Sequence, residues 1–188
     1  MHDLENDHDR YAYPHRVLHW LVALVLLLSL ATGLTLGYLG FEGAMERLGR
    51  TLTDLLYTFH KTFGVLILGL MLARVVTRIV FVVPVHEPPL PLFQRVVSSA
   101  VHHLLYLALL AMPVLGWLAT ASGGFPVQFL HWNLPGLIGR NDALSEQLFL
   151  WHGRLGLTIL ALVVLHVAGA LFHWLIRRDG VMKRMSLF

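Results

Sequence analysis

Twelve histidines in a 188-residue chain that is 56% hydrophobic are the feature most able to do chemistry. Six sit inside or at the edges of long apolar stretches: His19, His60, His102, His152, His166 and His173, with His103 adjoining His102. An ionisable ring at membrane depth is costly, and by default it marks function. His152 and His166 are 14 residues apart in one stretch. At about 3.6 residues per turn that is almost four whole turns, so both imidazoles face the same way. At about 1.5 Å per residue they stand roughly 21 Å apart, most of a hydrocarbon layer. His2, His8, His15, His86 and His131 fall in tails or loops and read as solvated surface.

The elements that must carry these rings follow from composition. Charged residues are 13% of the chain, about half the usual share, and the mean hydropathy is +0.67. This excludes disorder and argues against an ordinary soluble enzyme. The absence of cysteine excludes disulfides, thiolate zinc, cysteine-bound iron–sulfur clusters and covalent c-type haem. The net charge of +3 fits the flanks of membrane spans and not a nucleic-acid surface.

Four stretches are long and apolar enough to cross a bilayer, at about residues 17–37, 58–83, 100–121 and 148–176. They form one domain over residues 1–188. Residues 41–54 carry Glu42, Glu46, Arg47, Arg50 and Asp54, and suit a short surface helix. The proline-rich segment 84–89 breaks helix. A loop of roughly 25 residues separates the third and fourth spans, with Phe125, Phe129 and Trp132 suited to the membrane interface.

Arg10, Arg16, Arg74, Arg78, Arg95, Arg177, Arg178, Lys183 and Arg184 collect on one side, against Arg47, Arg50, Lys61, Arg140 and Arg154 on the other. The richer side, with both termini, is expected in the cytoplasm. The first apolar run is too long for a cleaved signal peptide and has His19-Trp20 at its start.

This up-and-down order pairs His19 with His166 by depth, and His60 with His152. Two imidazole pairs at two depths suit two stacked bis-histidine haems, whose irons have no open position and carry single electrons. Gly64, Gly156 and Gly169 follow His60, His152 and His166 by three or four residues, and Gly33 follows His19 by 14. Small residues on those faces suit a flat macrocycle, or plain helix packing. A zinc site would need three or four ligands at one depth, and a proton chain would favour acidic partners, which the deep spans lack.

The chain resembles the bacterial cytochrome b561 family. The likeness lies in Arg16-Val17-Leu18-His19-Trp20, Phe59-His60-Lys61, His102 through Ala111-Met112-Pro113-Val114-Leu115-Gly116, Trp151-His152-Gly153, Leu165-His166 and His173-Trp174. No single motif is specific, but the ordered set covers nearly the whole chain. It is most similar to the short four-helix members. That resemblance implies an all-α membrane protein, a four-transmembrane-helix bundle enclosing two b-type haems. It implies electron transfer from periplasmic superoxide to ubiquinone across the bacterial inner membrane.

The family's axial ligands carry over onto His19, His60, His152 and His166, and its quinone-side residues onto His102 and His173, with Arg74 and Arg78 nearby. The acidic tail of Asp3, Glu5, Asp7 and Asp9 departs from the family, as does His103. Adjacent residues point about 100° apart on a helix, and His102 is expected to face the site. Lys61 and Arg154, beside His60 and His152, suit guiding an anion or pairing haem propionates. A second possibility is a membrane-anchor subunit relaying electrons between a periplasmic dehydrogenase, such as a hydrogenase, and quinone.

Overall fold

A computed structural model describes residues 10–82, 84 and 91–187. His2, His8 and His86, the acidic tail and most of the proline-rich segment lie outside them. Helix α1 spans Tyr13–Val80, α2 Leu92–Ser122 and α3 Asp142–Leu171, and a π-helical turn over Phe172–Arg177 extends α3. Strands β1 (Val127–Phe129) and β2 (Trp132–Leu134) form a small antiparallel hairpin, and a 3-10 turn runs over Val181–Met185. Three helices, Tyr13–Val80, Leu92–Ser122 and Asp142–Arg177, are long and apolar enough to cross a membrane.

The first helical run is not one rod. Gly40 (φ 65°, ψ 177°) and Gly49 (φ 75°, ψ 168°) interrupt it. Such positive φ excludes most side chains, and glycine adopts it freely. The chain folds back between them: His15 Nδ1 meets Thr77 Oγ1 at 3.1 Å, and His60 Nδ1 meets the Ser29 carbonyl at 3.1 Å. Residues 13–39 and 50–80 are therefore two antiparallel arms, joined by the polar segment that the sequence marks as a surface helix.

Both arms, α2 and α3 meet in one core of Val22, Leu26, Ile67, Met71, Ala108, Leu109 and Ile159. On each arm and on α3 these residues fall between the two histidine levels. Outside the core, long apolar side chains such as Leu27, Ile79, Leu107, Leu157 and Val164 are exposed. Lipid tails are as apolar as leucine, so close packing and hydrogen bonds hold such a bundle, and not exclusion of water. Inside α2, Pro113 offers no N–H to the carbonyl one turn earlier.

The hairpin is the main departure from the expected loop between spans three and four. Leu130 N–H donates to Thr62 Oγ1 at 2.9 Å, and Trp117 Nε1 donates to the Pro135 carbonyl at 2.9 Å. Asn141 caps α3 by accepting from Leu144 N–H at 3.0 Å. Ser145 Oγ donates to the Ala119 carbonyl at 2.9 Å, stitching the start of α3 to the end of α2. This is the hairpin end of the bundle. At the opposite, terminal end the last residues return over the first arm. Trp20 Nε1 donates to the Met185 carbonyl (2.8 Å), Arg16 to the Ser186 carbonyl (2.7 Å) and Tyr11 N–H to the Arg184 carbonyl (3.2 Å).

Candidate functional site

At the hairpin end, the second arm of α1 brings His60 against His152 of α3. Their ring centres are 6.0 Å apart and their planes 84° apart. His60 Nδ1 lies 3.1 Å from the Ser29 carbonyl. A carbonyl only accepts, so Nδ1 holds the proton and Nε2 keeps its lone pair. The Thr32 hydroxyl donates to the Leu28 and Ser29 carbonyls at 3.0 Å each, and lies 3.2 Å from His60 Nδ1. His152 Nδ1 is buried without a well-formed hydrogen bond.

Two glycines give these rings their room. A Cβ on Gly33 would stand 2.6 Å from His60 Cε1, and one on Gly116 2.8 Å from His152 Cε1. Neither position can carry a side chain unless an imidazole moves. Lys61 and Arg154 are both engaged here. Lys61 Nζ donates to the Pro126 carbonyl at 3.0 Å and to Gln128 Oε1 at 3.4 Å, and the Arg154 guanidinium lies 4.9 Å from the Trp151 ring centre.

The terminal end is more crowded. His19 and His166 have ring centres 6.0 Å apart and planes 69° apart. His102 stands 5.0 Å from His166 at 89°, with its Nδ1 2.6 Å from the Ser98 carbonyl. His103 makes the corresponding bond to Ser99 at 2.7 Å. The buried Arg74 donates to His19 Nδ1 at 2.8 Å and to the Tyr106 hydroxyl at 3.4 Å. A guanidinium cannot accept, so His19 offers a lone pair at Nδ1, and its neutral ring then carries the proton on Nε2. Arg78 lies 6.0 Å from the Tyr11 ring centre, and its charge reaches His102.

Beyond this level an open cavity of about 860 Å³ is lined by Trp20, His173, Trp174, Arg178, Lys183 and Leu187 among others. His173 Nδ1 is 2.6 Å from Asp179 Oδ2, which Arg177 Nε also approaches at 3.2 Å. Burial alone would raise the Asp179 carboxyl. The His173 and Val181 hydrogen bonds and the charges of His173 and Arg177 outweigh it, holding the group below the usual carboxylate range. Among the described residues, no three histidine or acidic side chains are arranged to hold a bare metal ion.

A family model described as prokaryotic cytochrome b561 matches residues 10–186. The chain belongs to the prokaryotic cytochrome b561 family. Among curated relatives, it is 28% identical to cytochrome b561 homolog 2 of Escherichia coli (strain K12), over 96% of this chain and 93% of that one. It is 26% identical to homolog 1 of the same organism, over 94% and 97%. It is 24% identical to a probable superoxide oxidase CybB of Yersinia pestis, over 95% and 96%. Membership makes the chain a membrane electron-transfer protein and implies b-type haem.

Within this family member, the residues singled out by the sequence divide into three groups. His60 and His152 meet at the hairpin end, with Lys61 tied to the hairpin. His19, His166, His102 and Arg74 meet at the terminal level. His173 lines the cavity with neither His102, Arg74 nor Arg78 beside it.

One reading needs correction. His15 is not solvated surface: it is buried, bonded to Thr77 and stacked on Tyr11 at 5.1 Å. Gly33, 14 residues after His19 on the first arm, stands against His60, because the second arm runs back beside the first. Asp179 and Tyr106 were missed, and Gly116 was read only as part of the family likeness. Asp179 did leave a signal, as the single acidic residue after Glu146, six positions past His173 in a basic tail.

Proposed function

We propose that this chain is a dihaem b-type cytochrome, crossing the bacterial inner membrane four times with both termini in the cytoplasm. It takes electrons from superoxide at the hairpin end and passes them to ubiquinone at the terminal end. Its 68-residue first helix would measure about 100 Å if straight, some three times a 30 Å hydrocarbon layer. Reading its two arms as two crossings therefore satisfies both length and backbone.

The observation that carries this reading is the pair of imidazole spacings. A metal–nitrogen bond of about 2 Å on each side, with each ring centre about 1.1 Å behind its nitrogen, gives about 6 Å between centres. Both pairs stand at 6.0 Å. The donor chemistry fits too, since His60 presents an unprotonated Nε2 and the glycines keep side chains off the rings. At the terminal level, iron on His19 Nε2 would call for Arg74 to leave Nδ1, and a haem propionate is the natural partner for that guanidinium. When bound, the b haems would be held by His19, His60, His152 and His166 and would supply one-electron carriage.

The protein's own groups do the rest. Lys61 and Arg154 place positive charge at the hairpin end, which raises the local concentration of a small anion. Around the cavity, Trp20, Trp174 and Leu187 offer apolar walls to a quinone ring, and His173 offers a hydrogen-bond donor and a proton. One turnover consumes two superoxide anions, one quinone and two protons, and yields two dioxygen molecules and one quinol. The relative named a probable superoxide oxidase supports this donor over a docked dehydrogenase.

The test is to purify the full chain alone, expose it to a superoxide pulse and follow haem absorbance, then add a soluble ubiquinone. The expected result is reduction within the pulse, followed by re-oxidation. A chain that superoxide cannot reduce, and that co-purifies with a periplasmic dehydrogenase, would instead be an anchor subunit.

A further inference from the structure

Asp179 belongs to no predicted role, yet an unusual piece of backbone is built around it. The π-helical turn Phe172–Arg177 widens the end of α3, and Arg178 N–H donates to the His173 carbonyl at 2.7 Å. Arg178 (φ 53°) and Gly180 (φ 78°) are both left-handed, so the chain reverses sharply at Asp179. Positive φ on an arginine is uncommon and costs energy. π-Turns gather where function needs a side chain re-aimed. Here the reversal brings Asp179 back against a histidine six residues earlier.

Asp179 Oδ2 accepts from His173 Nδ1–H at 2.6 Å and lies 3.2 Å from Arg177 Nε, and Oδ1 accepts from Val181 N–H at 3.3 Å. Both side chains of the pair are largely covered, at 13% and 16% exposure. With Nδ1 engaged, Nε2 is the one polar atom His173 has left for the cavity it lines. A carboxylate on Nδ1 fixes the tautomer and the ring's orientation, and stabilises the ring when it is charged.

We propose that Asp179 is the positioning residue for quinone protonation: it holds His173 Nδ1–H so that Nε2 delivers a proton to the quinone oxygen. The inference rests on the quinone reading given above. In each turnover the quinone gains two electrons, drawn singly from superoxide, and two protons from the side bearing the termini. His173 gives up its Nε2 proton as an oxygen–hydrogen bond forms on the quinone, and regains one from water. Asp179 stays ionised throughout. The groups facing this pair are Arg177 on the carboxylate, and Arg178 and Lys183 among the cavity residues.

The experiment uses full-length Asp179→Asn, Asp179→Glu and Arg177→Gln chains loaded with haem, each reduced anaerobically and mixed with soluble ubiquinone. Asp179→Asn should re-oxidise at least tenfold more slowly at saturating quinone, with little change in the quinone concentration for half-maximal rate. Its solvent deuterium isotope effect should rise. Superoxide-driven reduction and haem content should stay as in the parent. Asp179→Glu should recover most of the rate, and Arg177→Gln should lose little.

An Asp179→Asn chain with the parent's re-oxidation rate and isotope effect overturns the inference alone. A slowing matched by Arg177→Gln and not rescued by Glu also overturns it, by making Asp179 a fastener of the turn. A parent chain that quinone does not re-oxidise overturns the functional reading and the inference together.

Discussion

The two histidine pairs share one spacing and differ in almost everything around it. At the hairpin end the His60 and His152 rings sit against two glycines, and His60 Nδ1–H is fixed by a backbone carbonyl. At the terminal end the same 6.0 Å separation is surrounded by His102, Arg74 and Tyr106. On the proposed reading, equal spacing with unequal surroundings would hold two cofactors of one kind at different electrostatic settings. Nearby charge and hydrogen bonding tune a haem's potential without changing its ligands. A buried guanidinium favours an added electron, so the terminal-end centre should be the easier of the two to reduce, which is downhill toward quinone.

The comparison breaks most visibly at the glycines. Gly116→Leu or Gly33→Leu forces a side chain onto an imidazole and should cost the hairpin-end haem alone, leaving about one haem per chain by pyridine haemochrome assay. Retention of both haems would mean these glycines only pack helices. His152→Ala and His166→Ala should each lose haem in part, and their difference spectra should assign the two centres. Full haem content in both variants would defeat the ligand assignment.

A smaller effect sharpens the electrostatic contrast. Arg74→Gln should lower the potential of the terminal-end centre by about 60 mV, a tenfold change in a one-electron equilibrium, with the other centre nearly unmoved. Equal shifts in both would remove the asymmetry. Lys61→Gln should slow reduction by superoxide by about threefold at low ionic strength and hardly at all at high salt. A salt-independent loss would point to the Lys61 bonds with the hairpin instead.

The smallest effect is in acid. Because the Asp179 carboxyl lies below its ordinary value, its contribution through the Val181 hydrogen bond is complete above about pH 4. It is lost only as pH falls through the lower, folded value. Amide protection at Val181, whose N–H donates to Asp179 Oδ1, should fall there, while Met182–Met185 keep theirs in Asp179→Asn.

Much of this was legible in the residues. Spacing alone set His152 and His166 on one face, and depth alone paired them with His60 and His19. The glycines were visible as a class but not by partner. Their registry depends on how two arms slide past each other, which local periodicity does not encode. His15 misled because proximity to a terminus reads as exposure, whereas the returning C-terminal segment covers that region. The hairpin was hidden in a loop whose strands are three residues each, too short for a period-two pattern to register. Asp179 needed the π-turn, since an ideal helix would turn a residue six positions on about 120° away from His173.

The central claim is that two imidazole pairs each hold a haem, and the most direct measurement is a haem count joined to low-temperature electron paramagnetic resonance on the purified oxidised chain. Two b haems per polypeptide, both six-coordinate and low-spin, and a single low-spin centre in each of His152→Ala and His166→Ala, is the predicted result. One haem, none, or a high-spin iron in the parent protein would contradict it.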